Sequence, residues 1–238
     1  MRKYSAYQAL FKAPMVRSIL NGTKTITRRI VKLPSYHPDV KGKQPADWTV
    51  DGLKLYDGNG KFEGDLKCPY GKVGDVMWVR ETHQFIKPKV DVHGQRVDTD
   101  GAVRYRADGR MDAWDQPSDY NPRYNVWLPS VHLPYEACRL FLKITEVRVE
   151  RLQDITEEDA IAEGIAFEYP SYYDYLGKSY FYMDTFQYNS PGWDLYRASA
   201  AVASYCTLWL SINGMGSWAE NPLVWVIRFE KTEKPTNP

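Results

Sequence analysis

Gly22-Thr23-Lys24-Thr25-Ile26-Thr27-Arg28-Arg29 is the stretch on which the reading of this chain turns. It follows Pro14-Met15-Val16-Arg17-Ser18-Ile19-Leu20-Asn21, where Pro14 can open a helix and Gly22 can close one. Met15, Val16, Ile19 and Leu20 recur at helical spacing, so a two-turn helix with an apolar stripe is expected there. Past the glycine, β-branched residues dominate up to Val31 and predict a strand. That strand is basic, with Lys24, Arg28 and Arg29. A further strand is expected ahead of the helix, over Tyr4–Lys12.

Working outward, residues 33–72 are rich in Pro, Gly, Asp and Lys and read as loop. Gly74-Asp75 then turns into a strand over Val76–Thr82. Residues 83–127 are polar and irregular, with one short strand near Ala102–Arg106, and read as an insertion. A long strand follows over Arg139–Arg151. Its apolar positions switch phase from Leu140, Leu142 and Ile144 to Val147 and Val149, which predicts a bulge near Thr145-Glu146. Thr156-Glu157-Glu158-Asp159 has the pattern that opens a helix, here Glu157–Glu163 with Gly164 as its stop. Residues 166–190 form a Tyr-rich second insertion. A longer helix ends at Asn213-Gly214 and buries Val202, Tyr205, Cys206, Trp209 and Ile212. Leu223–Glu230 begins apolar on both faces and predicts a central strand. With no internal repeat and no linker, residues 1–238 read as one α+β domain carrying two large insertions.

Composition narrows the function classes. The 238 residues hold 31 basic and 30 acidic side chains, 43% hydrophobic residues and 26% charged ones, which fits a globular chain and excludes a disordered or fibrous one. No apolar run is long enough to span a bilayer, and the first residues lack the apolar core of a secretory signal. Cys68, Cys138 and Cys206 are odd in number and far apart, so neither a disulfide framework nor a zinc site is expected, and a reducing cytoplasm fits. His37, His83, His93 and His132 have no metal-ligand spacing, and no phosphate-loop or dinucleotide motif occurs, so no metal and no cofactor are expected. Charge is uneven along the chain. Met1 to Pro38 contains eight basic residues and no acidic one, leaving an excess of seven acids in the remainder. Such a patch either attracts a phosphate or pairs with acids elsewhere in the fold.

Trp78, Arg80 and Glu81 are a second candidate cluster. On a strand Trp78 and Arg80 share a face, where an aromatic ring and a guanidinium can hold a base; a core Trp beside a structural Arg–Glu pair has the same pattern. The tyrosines at 169, 172, 173, 175, 180, 182 and 188 suit either a lid or a loop packed on the surface.

Gly22-x-Lys24-x-x-x-x-Arg29 resembles the signature of the ASCH domain, a relative of the PUA RNA-binding domain. The order of the flanking elements is similar too. Ala13-Pro14-Met15-Val16, Trp78-Val79-Arg80-Glu81-Thr82, Asp159–Ile165 and Trp209–Trp218 resemble segments of larger ASCH proteins of phages and prophages. The resemblance covers both ends of the chain but neither insertion. It implies a small PUA-like β-barrel with flanking helices and a cleft for RNA or a modified nucleobase or nucleoside, in a phage or prophage protein working in the bacterial cytoplasm. Gly22-Thr23-Lys24-Thr25-Ile26-Thr27-Arg28-Arg29 also looks like the G-x-K-T-I-T-x-R stretch of N(4)-acetylcytidine amidohydrolases. By that likeness Lys24, Thr27 and Glu163 are catalytic, and Arg28, Arg29, Trp78, Arg80 and Glu81 bind substrate.

The chemistry suits those residue types. Amide hydrolysis needs a nucleophile, a proton acceptor and a group to hold the oxyanion. Thr27 can supply the hydroxyl, a desolvated Lys24 can take its proton, Glu163 can protonate the leaving amine and Arg29 can hold the oxyanion. Lys24 and Thr27 are three residues apart, so on a regular strand they face opposite ways. They converge only if Lys24 lies in the turn after Gly22. Besides an amidohydrolase, the sequence leaves open a non-catalytic RNA or modified-base reader and a phage assembly or host-interaction protein.

Overall fold

Gly22 ends the first helix with a positive φ of 85°, a conformation that glycine adopts without steric penalty. The computed structural model describes residues 7–32, 48–85, 93, 103–109, 126–167, 180–181 and 200–235. In chain order the elements are β1 (Tyr7–Leu10), α1 (Ala13–Leu20), β2 (Ile26–Ile30), β3 (Thr49–Asp51), β4 (Lys54–Tyr56), β5 (Phe62–Asp65), β6 (Val76–Arg80), β7 (His83–Phe85) and β8 (Val103–Tyr105). Then come β9 (Phe141–Arg151), α2 (Glu157–Ala162), β10 (Ala166–Phe167), β11 (Tyr180–Phe181), α3 (Ala200–Asn213) and β12 (Leu223–Thr232). The fold is mixed α+β, mostly strands with few helices.

Five strands form the main sheet in the order β1-β6-β9-β12-β2. Strand β1 runs parallel to β6, and the other pairings are antiparallel. Strand β12 is interior, between β9 and β2, as its apolar run requires. Its residues point alternately into two cores. Trp225, Ile227 and Phe229 enter a cluster with Val16 and Ile19 of α1 and Leu142, Ile144 and Val149 of β9. Val224 and Val226 enter a second cluster with Ala160 of α2 and Tyr205 and Trp209 of α3. At about 25 cal/mol per Å² of apolar surface, burial on both faces makes this strand the main anchor of the sheet.

The phase switch in β9 is a bulge. Arg228 faces Glu146 and Phe229 faces Ile144, so Thr145 is the extra residue. Both apolar sets of β9 thereby reach the same core, with Val147 packed at its margin.

Two expectations need correction. Within the segment read as loop, β3, β4 and β5 form an antiparallel meander, and its Leu55 is buried in the first core. Strands of three or four residues are too short to display alternation. On α3, Ile212 is 40% exposed, and Leu208 is buried. The short strand expected near 102–106 is β8, paired with β7.

The outer strands of the main sheet, β1 and β2, do not pair with each other among the described residues. A side chain links them instead. Arg29 Nη2 donates to the Leu10 carbonyl at 2.8 Å, and its guanidinium lies 5.2 Å from the Phe11 ring centre. Among the described residues no helix is long and apolar enough to cross a membrane.

Candidate functional site

Lys24 sits in the link between the Gly22 stop and β2, so strand alternation does not set its direction relative to Thr27. Its main-chain N–H donates to the Ser18 carbonyl at 2.9 Å, and the Thr25 N–H donates to the Ala162 carbonyl at 2.8 Å. These bonds bring the start of β2 against the end of α2, where Lys24 and Glu163 form an isolated antiparallel bridge. The N-cap of α2 is Thr156, whose side chain accepts from the Asp159 N–H as the sequence pattern predicts. Glu163 is the C-cap. Gly164 follows with φ 88°, and a Cβ there would lie 2.9 Å from the Cβ atoms of both Lys24 and Ser18. Only a bare backbone lets these three segments meet.

Lys24 Nζ donates to Glu163 Oε2 at 2.5 Å and to the Glu163 main-chain carbonyl at 2.9 Å. The second bond satisfies a carbonyl that a helix C-terminus otherwise leaves without a partner. Lys24 is 2% exposed and Glu163 5%. Burial lowers the Lys24 pKa below the ordinary lysine value; the Glu163 charge and hydrogen bond oppose this without cancelling it, and Arg29 and Arg28 add to the lowering.

Beside this pair, buried Arg28 donates through Nη2 to Glu150 Oε1 and Asp159 Oδ2, each at 2.7 Å. Its Nη1 lies 3.6 Å from Glu163 Oε1. Arg148 and Arg228 also bond Asp159 and Glu146. Burial alone pushes the Asp159 carboxyl up, but the hydrogen bond and charge of Arg28, with Arg148, hold it below its usual value. Lys24, Arg28, Arg148 and Arg228 thus face Glu146, Glu150, Asp159 and Glu163 in one balanced network that runs from the surface into the interior.

A cavity of about 230 Å³ opens against β2. Thr27, Arg28, Arg29 and Ile30 form one wall, and Glu163 contributes from the end of α2. Met15 of α1 and Tyr205, Leu208, Trp209 and Ile212 of α3 form apolar walls, with Lys32, Tyr70 and Asn213 completing the lining. Lys24 is not in the lining and reaches the cavity through Glu163. Burial, then the Glu163 charge, pushes the Tyr205 hydroxyl well above the usual tyrosine value, so it stays protonated as a donor. Glu163 and Thr27, drawn from distant parts of the chain, therefore line one cavity together with Arg29, and Lys24 stands behind Glu163 as its buried ion-pair partner.

Trp78, Arg80 and Glu81 are not brought to this place. Strand β6 is separated from β2 by β9 and β12, an order that sequence does not display. Trp78 packs edge-on against Tyr135 at 5.5 Å between ring centres. Arg80 does share its face, 4.9 Å from the ring centre, and bonds Gln8 and the Leu133 carbonyl. Glu81 is 1% exposed and takes two bonds from Arg139. Burial raises its pKa despite that partner. Arg28 borders the cavity but is engaged with Glu150 and Asp159, so it braces the site.

Tyr205 and Trp209, expected in the core, are also cavity wall, and Leu208, which the expected buried face of α3 leaves out, joins them there. Their spacing of three, four and one on α3 is the signal that groups them on one face. Of the Tyr-rich segment, Tyr180 pairs in β11 with Phe167 of β10, while the tyrosines at 169, 172, 173, 175, 182 and 188 lie outside the described residues, as does His37. Among the described residues no three His, Cys, Asp or Glu side chains are grouped to hold a metal ion. Comparison of the chain with protein-family models, with curated proteins and with solved structures finds no match.

Proposed function

We propose that this chain is an ASCH-like hydrolase that takes a modified nucleoside into the cavity beside β2 and cleaves an N-acyl amide on a cytidine-type base. On this reading the five-stranded sheet is an open counterpart of the PUA-like barrel, its outer strands β1 and β2 not paired with each other among the described residues and linked by Arg29 and the Leu10 carbonyl. The observation that carries the proposal is that Glu163, ion-paired with buried Lys24, lines the same cavity as Thr27. A cavity of ~150 Å³ accommodates a benzene ring, so about 230 Å³ admits a pyrimidine with a small acyl group.

The steps follow from the groups present. Thr27 Oγ bonds to the acyl carbon, and its proton passes to the Glu163–Lys24 pair. Burial lowers the Lys24 pKa, which makes the ammonium readier to give up its proton and the free amine available as an acceptor. Negative charge on the carbonyl oxygen is held by Arg29, a residue of the cavity lining. As the carbon–nitrogen bond breaks, Glu163 returns the proton to the departing amine. Water, deprotonated by the same pair, then cleaves the acyl-threonine ester and frees the carboxylate. The test is incubation with N(4)-acetylcytidine while release of cytidine is followed, for the parent chain and for Thr27→Val and Glu163→Gln.

A second reading, a non-catalytic reader of a modified base, is favoured by one feature. The Lys24 ammonium already gives two hydrogen bonds to Glu163, as a structural group does. Saturable nucleoside binding with no turnover supports it.

A further inference from the structure

The outer edge of β2, unpaired with another strand among the described residues, forms the cavity wall, and the ladder with β12 turns main-chain groups toward it. Successive strand residues point to opposite faces, so a cavity over one face of a strand is lined by every second residue. Here four consecutive residues, Thr27, Arg28, Arg29 and Ile30, line it, which happens when a cavity meets a strand edge-on. Strand β2 is the outermost strand of its sheet among the described residues. The ladder with β12 tells which groups face outward. The Val31 N–H donates to the Leu223 carbonyl, and the Phe229 N–H donates to the Thr25 carbonyl. With Arg29 opposite Trp225 and Thr27 opposite Ile227, the odd-numbered residues of β2 spend their N–H and C=O groups on β12. Arg28 and Ile30 therefore direct theirs away from β12, toward the cavity.

We infer that this edge reads the ligand: a pyrimidine lies edge-on against β2, its ring nitrogen accepting from the Arg28 N–H and its exocyclic N–H donating to the Arg28 carbonyl. This rests on the nucleoside reading above and deepens it. One residue's outward N–H and C=O are a closely spaced donor and acceptor. The N3 and N4–H positions of cytosine are the matching acceptor and donor, and acylation of N4 keeps both. Met15 on α1 and Leu208 and Trp209 on α3 supply apolar surface for the ring faces. Glu163 and Thr27, beside Arg28, then meet the substituent on N4, where the bond to be cut lies. Main-chain groups set this recognition, so the specificity is for an edge pattern, while the Arg28 side chain braces the strand through Glu150 and Asp159.

The test compares cytidine with 3-deazacytidine, in which a C–H replaces the ring acceptor and the shape is kept. Affinities are measured by titration, and the amide resonances of Arg28 and Ile30 are followed by NMR on the full chain. The inference expects the Arg28 amide to shift on addition of cytidine and 3-deazacytidine to bind at least about tenfold more weakly, since a buried donor is left unpaired. Equal binding of the two nucleosides, or an Arg28 amide that does not move, overturns it while hydrolysis of N(4)-acetylcytidine still stands as a separate result. If no nucleoside binds and the Arg28 and Ile30 amides change with protein concentration instead, the edge pairs with a second copy of the chain and both readings fall.

Discussion

Lys24 and Glu163, separated by 138 intervening positions, are joined twice: the ammonium bonds the carboxylate at 2.5 Å and the same residue's main-chain carbonyl at 2.9 Å. The first bond opposes the lowering of the Lys24 pKa by burial, and the second fastens the end of α2 to the entry of β2. On the proposed reading chemistry and folding are therefore coupled at this point, and substitutions here must be judged on both.

Removing one partner leaves a buried charge uncompensated. Glu163→Ala is expected to destabilise the fold by about 3–5 kcal/mol, because Lys24 is 2% exposed and, among the described residues, keeps no counter-charge within bonding distance. Replacing both partners by apolar residues, Lys24→Met with Glu163→Leu, is expected to recover most of that loss. Denaturant unfolding of the single and double variants checks the pattern, and a double variant no better than Glu163→Ala contradicts it.

The pH dependence of stability follows from the direction of the Lys24 shift. Its folded-state pKa lies below the ordinary 10.5, so between the two values the unfolded chain binds more protons than the folded one. Stability contributed by this residue therefore rises with pH through that window, and burial of the ammonium is least favourable below it. The rise should be missing in Lys24→Met, so the difference between the two unfolding free energies, measured from pH 7 to 10.5, isolates it. Parallel curves contradict the buried-lysine account.

Gly164 and Gly22 separate two kinds of glycine requirement. Both have positive φ, 88° and 85°. A Cβ at Gly22 meets nothing within 4 Å, so Gly22→Ala should lose only the backbone term of about 1–2 kcal/mol. At Gly164 the same atom collides with Lys24 and Ser18. Gly164→Ala should lose distinctly more and should also disturb the Lys24–Glu163 contact, read as a larger fall in Tm together with loss of nucleoside binding.

Much of this arrangement was legible because it rests on local rules. The glycine stops at Gly22 and Gly164, the Thr156 cap and the phase switch in β9 each follow from a few neighbouring residues, and each appears where the sequence puts it. The gathering of Lys24, Thr27 and Glu163 came from a resemblance in the stretch that holds two of them, since nothing in spacing alone joins position 24 to position 163. Strand order was not legible. Trp78 and Arg80 share a face as alternation demands, but β9 and β12 stand between them and β2. The three-residue strands β3 and β4 were hidden because Gly, Asp and Lys in short turns outweigh so brief an apolar signal.

The bulge gives a test of how β9 is built. Thr145 is exposed and is the unpaired residue of the ladder with β12. Its deletion restores a regular ladder and turns one of the two apolar sets of β9 away from the core. Loss of folded protein is expected, measured by circular dichroism and unfolding. Thr145→Ala should change stability by no more than about 0.5 kcal/mol. A deletion variant as stable as the parent contradicts the bulge's role.

The most direct test of the central claim is the rate of cytidine release from N(4)-acetylcytidine by the parent chain, Thr27→Ser and Thr27→Val. Valine keeps the shape of the 5%-exposed Thr27 and removes only its hydroxyl. The account predicts turnover by the parent, retained activity in Thr27→Ser, and a fall of at least ~100-fold in kcat for Thr27→Val with an unchanged Tm. Turnover by Thr27→Val at the parent rate, or no cytidine released by the parent at all, contradicts it.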